Sequence, residues 1–200
     1  MLTRRPALGL PLLILAAPAQ AQPSPVEVVE RWHAALLAVM RDARRLGMRG
    51  RFERLSGPMS EAFDLAAMTR ISVGPPWTSF APAEQQALVE AFSRWSIAVY
   101  ADRFDNYAGE SFTTDGSQVL PNGDVLVRTT LNRPAGEEPV LLSYLLRNIR
   151  GVPRVVDIYL TGTISELASR RAEFARVLRS GGAAQLTQEL QQRGAALLAR

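Results

Sequence analysis

The chain has 200 residues, with 23 basic and 19 acidic side chains and a formal net charge of +4. Every basic side chain is arginine, and cysteine is absent, which excludes disulfides, thiolate metal sites and cysteine nucleophiles. The charge is small and no run of basic residues stands out, so we expect no nucleic-acid partner.

The first 21 residues have the three parts of a secretory signal peptide. Arg4 and Arg5 form the basic region, and residues 7–17 form an apolar stretch too short to span a bilayer. Ala19-Gln20-Ala21 follows as the cleavage pattern of small residues. We predict a signal peptide over residues 1–21, export to the periplasm and a single domain over residues 22–200; an uncleaved membrane anchor is the alternative.

Apolar spacing predicts three helices in the first half of the mature chain. The first runs from Val26 to glycines at 47 and 50, and residues 51–59 are expected to be a brief connecting segment. Asp64 is the predicted N-cap of the second helix, which Gly74-Pro75-Pro76 ends. The third helix is expected over about residues 82–104, beginning at Pro82.

Four strand-like segments follow, separated by turn signals, which favours an antiparallel meander. They are Tyr107–Thr114, Asp124–Asn132, Val140–Asn148 and Arg154–Thr161. Alternation places apolar side chains on one face of this sheet, namely Val125, Val127, Thr129, Leu131, Leu142, Tyr144, Leu146, Val156, Ile158 and Leu160.

Two helices are predicted to close the chain, over residues 165–180 and 184–198, with Gly181-Gly182 between them. The fold class is therefore α+β, a four-stranded antiparallel sheet with helices packed on one face. Periodicity alone leaves open whether the interior is a filled core or encloses an apolar cavity.

The chain offers few residues for catalysis. His33 is the single histidine, which rules out a metal site built from several histidines, and no nucleophile-elbow motif accompanies it. The acidic pairs Asp102/Asp105 and Glu137/Glu138 are expected to be solvated polar positions. We expect neither an enzyme nor a cofactor; a small α+β enzyme with a polar dyad at a cavity floor is the least favoured reading.

An ordered set of residues across nearly all of the mature chain resembles the MlaC family, periplasmic lipid-binding components of Mla-type ABC transport systems, also called toluene-tolerance auxiliary proteins. The set is Phe63-Asp64-Leu65, Met68, Ile71-Ser72-Val73-Gly74, Trp77, Pro82, Gln85-Gln86, Leu88-Val89, Phe92, Tyr100, Val156-Asp157-Ile158-Tyr159-Leu160-Thr161-Gly162-Thr163-Ile164-Ser165, Arg170-Arg171, Phe174, Leu178, Gly181-Gly182, Leu186 and Leu190.

At some positions the sequence departs from the usual family pattern, and there it resembles the hopanoid-associated HpnM branch more closely. Pro153-Arg154 stands where the family usually has Trp-Arg, and the following helix is preceded by Gly162-Thr163-Ile164-Ser165-Glu166-Leu167 rather than by Gly-x-Ser-Leu. The resemblance therefore implies a lipid ligand that is either a phospholipid or a hopanoid.

The resemblance implies a soluble carrier that encloses acyl chains in an apolar cavity and exchanges lipid with membrane-bound transport proteins. Arg128, Arg147 and Arg154 are candidates to meet acidic partner surfaces or lipid phosphates. The alternative is an accessory or interaction protein of hopanoid or envelope biogenesis that carries no cargo. The candidate cavity walls are Met68, Ile71, Phe92, Trp95, Val99, Val127, Leu142, Tyr144, Ile158 and Leu160.

Overall fold

The computed structural model describes residues 22–134, 136–161 and 163–200. The predicted signal peptide lies outside the described residues. The elements follow the order helix, helix, helix, helix, five strands, helix. Their bounds are α1 Pro25–Arg41, α2 Ala43–Ala62, α3 Leu65–Val73, α4 Pro82–Arg103, β1 Ser111–Val119, β2 Val125–Asn132, β3 Val140–Ile149, β4 Val152–Leu160, β5 Ile164–Ser165 and α5 Glu166–Leu198, with a 3-10 turn over Pro75–Ser79.

Helix α2 corrects the prediction of a brief connecting segment. The first helix ends at Arg41, and the chain is helical again from Ala43 to Ala62, with a sharp kink at Gly47, where φ is 60°. The segment is polar overall, so periodicity did not reveal it. It is stabilised by the burial of a few apolar side chains against α1 and α4, including Leu55 and Met59.

The predicted N-cap of α3 is confirmed. The Asp64 carboxylate accepts a hydrogen bond from the backbone N–H of Ala67 at 2.8 Å, which satisfies one of the free donors of the first turn. The backbone N–H of Asp64 donates to the carbonyl of Val155 at 2.9 Å and so ties the start of α3 to β4. The helix ends at Gly74, as predicted, because that residue has a positive φ of 74°.

The sheet is an antiparallel meander of five strands rather than four, in the order β1-β2-β3-β4-β5. The extra strand, β5, is two residues long and pairs with the end of β4. The first strand lies at Ser111–Val119 instead of Tyr107–Thr114, because a tight turn pairs Val119 with Val125 and thereby sets the register of β1 on β2.

A bulge in β4 corrects one predicted inward residue. Leu142 pairs with Leu160 and Tyr144 with Ile158, as simple alternation requires. The register then shifts, so that Leu146 pairs with Val155. Val155 therefore belongs to the apolar core cluster, whereas Val156, although fully buried as predicted, lies outside that cluster.

The two predicted C-terminal helices are the halves of α5. Gly181 (φ −157°, ψ 16°) and Gly182 (φ 64°, ψ −156°) break the helical path between them, as the glycine pair predicted. Helix α5 packs along α4, and the helices cover the face of the sheet that carries Val127, Tyr144 and Ile158. Within the described ranges no helix has both the length and the apolar character needed to cross a membrane.

Candidate functional site

An apolar cavity of about 200 Å³ lies between the inner face of the sheet and helices α4 and α5. Strands β2, β3 and β4 supply one wall, and α2 and α3 add one methionine each. The residues that line it are Met59, Met68, Phe92, Trp95, Ser96, Val99, Tyr100, Arg103, Phe104, Leu131, Val140, Leu142, Tyr144, Ile158, Leu160, Glu166, Leu167 and Arg170.

Helix α4 contributes one continuous face to the cavity. Phe92, Trp95, Val99 and Arg103 recur at spacings of three and four residues, so they follow each other along one side of the helix. This face begins with buried aromatic rings and ends with an exposed charge. The cavity is therefore graded from apolar to polar along α4.

An aromatic cluster stiffens the apolar part of the wall. Phe92, Trp95 and Phe174 pack with ring centroids 6.0 to 6.3 Å apart, mostly edge to face. Such pairs are stabilising beyond the area they bury. Helices α4 and α5 are therefore held together at this point.

Three charged side chains line one end of the cavity. We call this end the mouth and define it by Arg103, Glu166 and Arg170. The guanidinium of Arg170 lies 4.5 Å from the centroid of the Trp95 ring and forms ion pairs with Glu166 at 3.6 Å and Glu173 at 3.4 Å. Arg103 is exposed, and it makes no hydrogen bond or ion pair with the residues that the structure describes.

A buried polar pair joins α1 to the sheet beside the cavity. The Tyr144 hydroxyl is 3.0 Å from Nε2 of His33, whose ring stacks on Phe112 with centroids 3.8 Å apart. Burial lowers the pKa of His33 to about 3 and raises the pKa of Tyr144 well above its usual value. Both groups are therefore neutral at physiological pH, which suits a structural role next to an apolar cavity.

Eight of the ten predicted wall residues line the cavity together, and Ile71 and Val127 do not. Val127 is fully buried in the core, and Ile71 is half-buried and packs against that core. Sequence reasoning missed the three charged residues of the mouth, because charged residues near helix ends are usually only solvated.

The three arginines proposed from sequence to meet partners or phosphates are engaged elsewhere. Arg147 donates two hydrogen bonds to Asp124, at 2.9 and 2.7 Å. Arg154 donates to the carbonyl of Ser60 at 2.5 Å, and Arg128 to the Gln118 side chain at 3.4 Å. None of the three lines the cavity.

The described residues contain no group of three or more histidine and acidic side chains placed to hold a metal ion. Apart from its mouth, the cavity presents almost entirely hydrocarbon and aromatic surface. A site of this kind is suited to bind an apolar ligand with its polar end at the opening.

The family model of the MlaC protein matches residues 30–192. The chain belongs to the MlaC family. A solved structure with the same fold is that of the phospholipid-binding protein from Ralstonia solanacearum, determined in complex with a phospholipid. It is 26% identical, has a TM-score of 0.75, and the match covers 91% of this chain and 100% of the Ralstonia chain. No curated protein matches the sequence significantly.

Family membership agrees with the geometry of the cavity. The chain has the fold of a protein that binds a phospholipid, and its own cavity is apolar with a charged mouth. Both observations favour a lipid-binding protein over an enzyme. The finer placement within the HpnM branch stays a prediction.

Proposed function

We propose that this MlaC-family protein is a periplasmic lipid carrier that encloses acyl chains and shuttles lipid between membrane-bound components of an Mla-type ABC transport system. Cleavage after Ala21 would release residues 22–200 as a single lipid-binding domain. The observation that carries the proposal is the apolar cavity under the sheet, open at a charged mouth, in a chain similar to a phospholipid-binding protein.

The energetics of a lipid tail require such an enclosure. Each methylene removed from water contributes about 0.8 kcal/mol, so an acyl chain of roughly fifteen methylenes costs on the order of 12 kcal/mol to leave exposed. A shallow groove recovers only part of this, whereas a cavity between a sheet and two helices surrounds the chain. We therefore expect tail burial to supply most of the affinity.

The cavity must enlarge to take a whole lipid. Its volume of about 200 Å³ lies below the range of about 300–1,000 Å³ found for sites of drug-sized ligands. We propose that α4 and α5 move away from the sheet as the tails enter. A membrane-bound partner that favours the open arrangement would then promote release by population shift.

The polar head is expected to stay at the mouth, near Arg103, Glu166 and Arg170. Both a phospholipid and a hopanoid satisfy this arrangement, because each joins a large apolar part to a polar end. The similarity to a phospholipid-binding protein favours the phospholipid, and the residues that resemble the HpnM branch favour the hopanoid.

Native mass spectrometry of the gently purified protein, followed by extraction and identification of the lipid, tests the proposal. Val99→Trp would fill part of the cavity, and overpacking of about 1–3 kcal/mol should lower the affinity for lipid by roughly 5- to 150-fold, seen as reduced occupancy. Val89→Trp is the matched control, since Val89 lies on the same helix, is also half-buried and does not line the cavity.

Co-purified lipid that is lost in Val99→Trp and retained in Val89→Trp supports the carrier and identifies its cargo. A wild-type protein that is consistently empty, and that takes up no phospholipid or hopanoid from vesicles, overturns it. That result would favour the accessory protein without cargo, which predicts a stable membrane-protein partner in cross-linking instead.

A further inference from the structure

The turn between α1 and α2 concentrates positive charge. Residues 41–54 hold six arginines against Asp42 and Glu53, a net charge of +4, whereas residues 22–200 together carry only +2. We expected no run of basic residues to stand out; these arginines do form a basic segment, although acidic, apolar and small residues separate them in sequence. We define the basic corner as the five of them that are exposed, Arg41, Arg44, Arg45, Arg49 and Arg54.

The basic corner lies at the same end of the molecule as the mouth of the cavity. Arg51 Nε donates to the carbonyl of Ala101 at 2.7 Å, which ties α2 to the end of α4, two residues before Arg103. The Arg41 guanidinium lies 5.2 Å from the centroid of the Tyr107 ring. A surface depression brings Arg41, Arg44 and Arg45 together with Asn106 and Tyr107, just beyond the cavity residue Phe104.

Few of these charges are neutralised within the protein. Arg45 forms a hydrogen-bonded ion pair with Asp42 at 2.6 Å. This hydrogen bond lowers the pKa of Asp42, and the positive charges of Arg45 and Arg54 lower it further. Arg44, Arg49 and Arg54 form no ion pair or hydrogen bond with any other described residue. Their charge is therefore available to a partner.

Exposed apolar side chains flank the same opening. Tyr107, 36% exposed, lies in the surface depression beside Arg41. Ile164, 54% exposed, pairs across the sheet with the cavity residue Leu160. Apolar side chains beside free arginines are the combination that binds the interface of an anionic bilayer.

We propose that the basic corner docks this protein on an anionic bilayer surface and so holds the mouth of the cavity against the lipids. The orientation rests on the proposed function; the docking itself does not. Arginine stays charged at any physiological pH, so this attraction depends on salt rather than on pH. A bilayer is favoured over an acidic protein because the exposed Ile164 gains from burial among acyl chains and Tyr107 suits the bilayer interface.

The test is co-sedimentation with vesicles of phosphatidylcholine alone and with vesicles that also contain phosphatidylglycerol, at low and at high salt. Wild type should bind the anionic vesicles at low salt and lose most of that binding at high salt. In the triple variant R44Q/R49Q/R54Q, each lost arginine should weaken binding about fivefold, on the order of 100-fold in total.

The matched control is R150Q/R176Q/R179Q, which removes the same charge. Arg150 lies in the β3–β4 turn, at the end of these strands that is far from the cavity residues Leu142 and Leu160. Arg176 and Arg179 lie on α5, about two turns beyond Arg170. All three are exposed and form no ion pair with another described residue. This control should bind anionic vesicles like wild type.

Equal binding of both variants, or no preference of wild type for anionic vesicles, overturns docking. An acidic protein that binds wild type but not R44Q/R49Q/R54Q, while vesicles bind neither, also overturns it. Lipid occupancy measured on the same samples keeps the two proposals separate. A triple variant that retains its lipid but no longer binds vesicles supports docking, and a wild type that binds vesicles but never contains lipid contradicts only the carrier.

Discussion

Arg170 and Trp95 form a cation–π pair at the mouth of the cavity, with the guanidinium carbon 4.5 Å from the centroid of the indole ring. Trp95 is 6% exposed, so the ring presents a desolvated face to the charge. The contact joins α5 to α4 where the aromatic wall ends and the polar mouth begins. It therefore holds the two helices together beside the opening.

Arg170→Gln should destabilise the protein through loss of this contact. We expect the free energy of unfolding to fall by about 1–2 kcal/mol, because a cation–π pair on a desolvated ring is worth about that much and the partly exposed ion pairs add little. Arg176→Gln is the control on the same helix and should change stability by less than about 0.5 kcal/mol. Denaturant unfolding followed by circular dichroism measures both; equal effects would show that the stacking contributes nothing.

Stability should depend on pH through His33. Its pKa is about 3 when folded and 6.5 when unfolded, so the folded state favours the neutral ring. The stabilisation is complete above pH 6.5 and is lost as the pH falls from 6.5 towards 3, at up to about 1.4 kcal/mol per pH unit. Unfolding measured between pH 7 and 5 isolates this effect, since His33 is the single histidine and carboxylates titrate mainly below that range.

His33→Gln is the control for the pH dependence, because glutamine does not titrate. The variant should be less stable than wild type at pH 7 and should show little change between pH 7 and 5. A variant with the same slope as wild type would assign the dependence to other groups.

Gly74 should not tolerate a side chain. Its φ is 74°, a conformation that side chains disfavour, and an added Cβ would lie 3.2 Å from Nε of Arg171. That guanidinium cannot move freely, because its Nε and Nη2 donate hydrogen bonds to the Ile71 carbonyl at 2.9 and 2.7 Å. Gly74→Ala should therefore lower the free energy of unfolding by about 1–3 kcal/mol. Thermal unfolding measures the change.

Gly57→Ala is the opposite case on helix α2. Gly57 is helical and exposed, and apart from its chain neighbours and the nearby helix backbone no atom lies within 4 Å of an added Cβ. Because the ring of Pro58 crowds a Cβ on the preceding helical residue, the usual gain from alanine is offset, and Gly57→Ala should change the free energy of unfolding by less than about 0.5 kcal/mol. If Gly74→Ala were as well tolerated, neither the backbone conformation nor the Arg171 contact would matter.

Local signals in the sequence were sufficient for much of the fold. Asp64 caps α3, Gly74 ends it, Pro82 begins α4, and Gly181-Gly182 breaks α5, because each of these effects depends on a few neighbouring residues. The alternation that brought Leu142, Tyr144, Ile158 and Leu160 to one face is equally local, since it follows from the period of a strand.

Non-local packing decided what the sequence alone could not. Helix α2 forms because Leu55 and Met59 are buried in the core. The bulge that turns Val155 inward depends on the pairing of β4 with β3. Val127 packs in the core and does not line the cavity. The basic corner lies beside the cavity mouth because α2 packs against α4 and Arg51 ties it to the end of that helix. Periodicity assigns a residue to a face of an element, whereas the space in front of that face depends on elements distant in the chain.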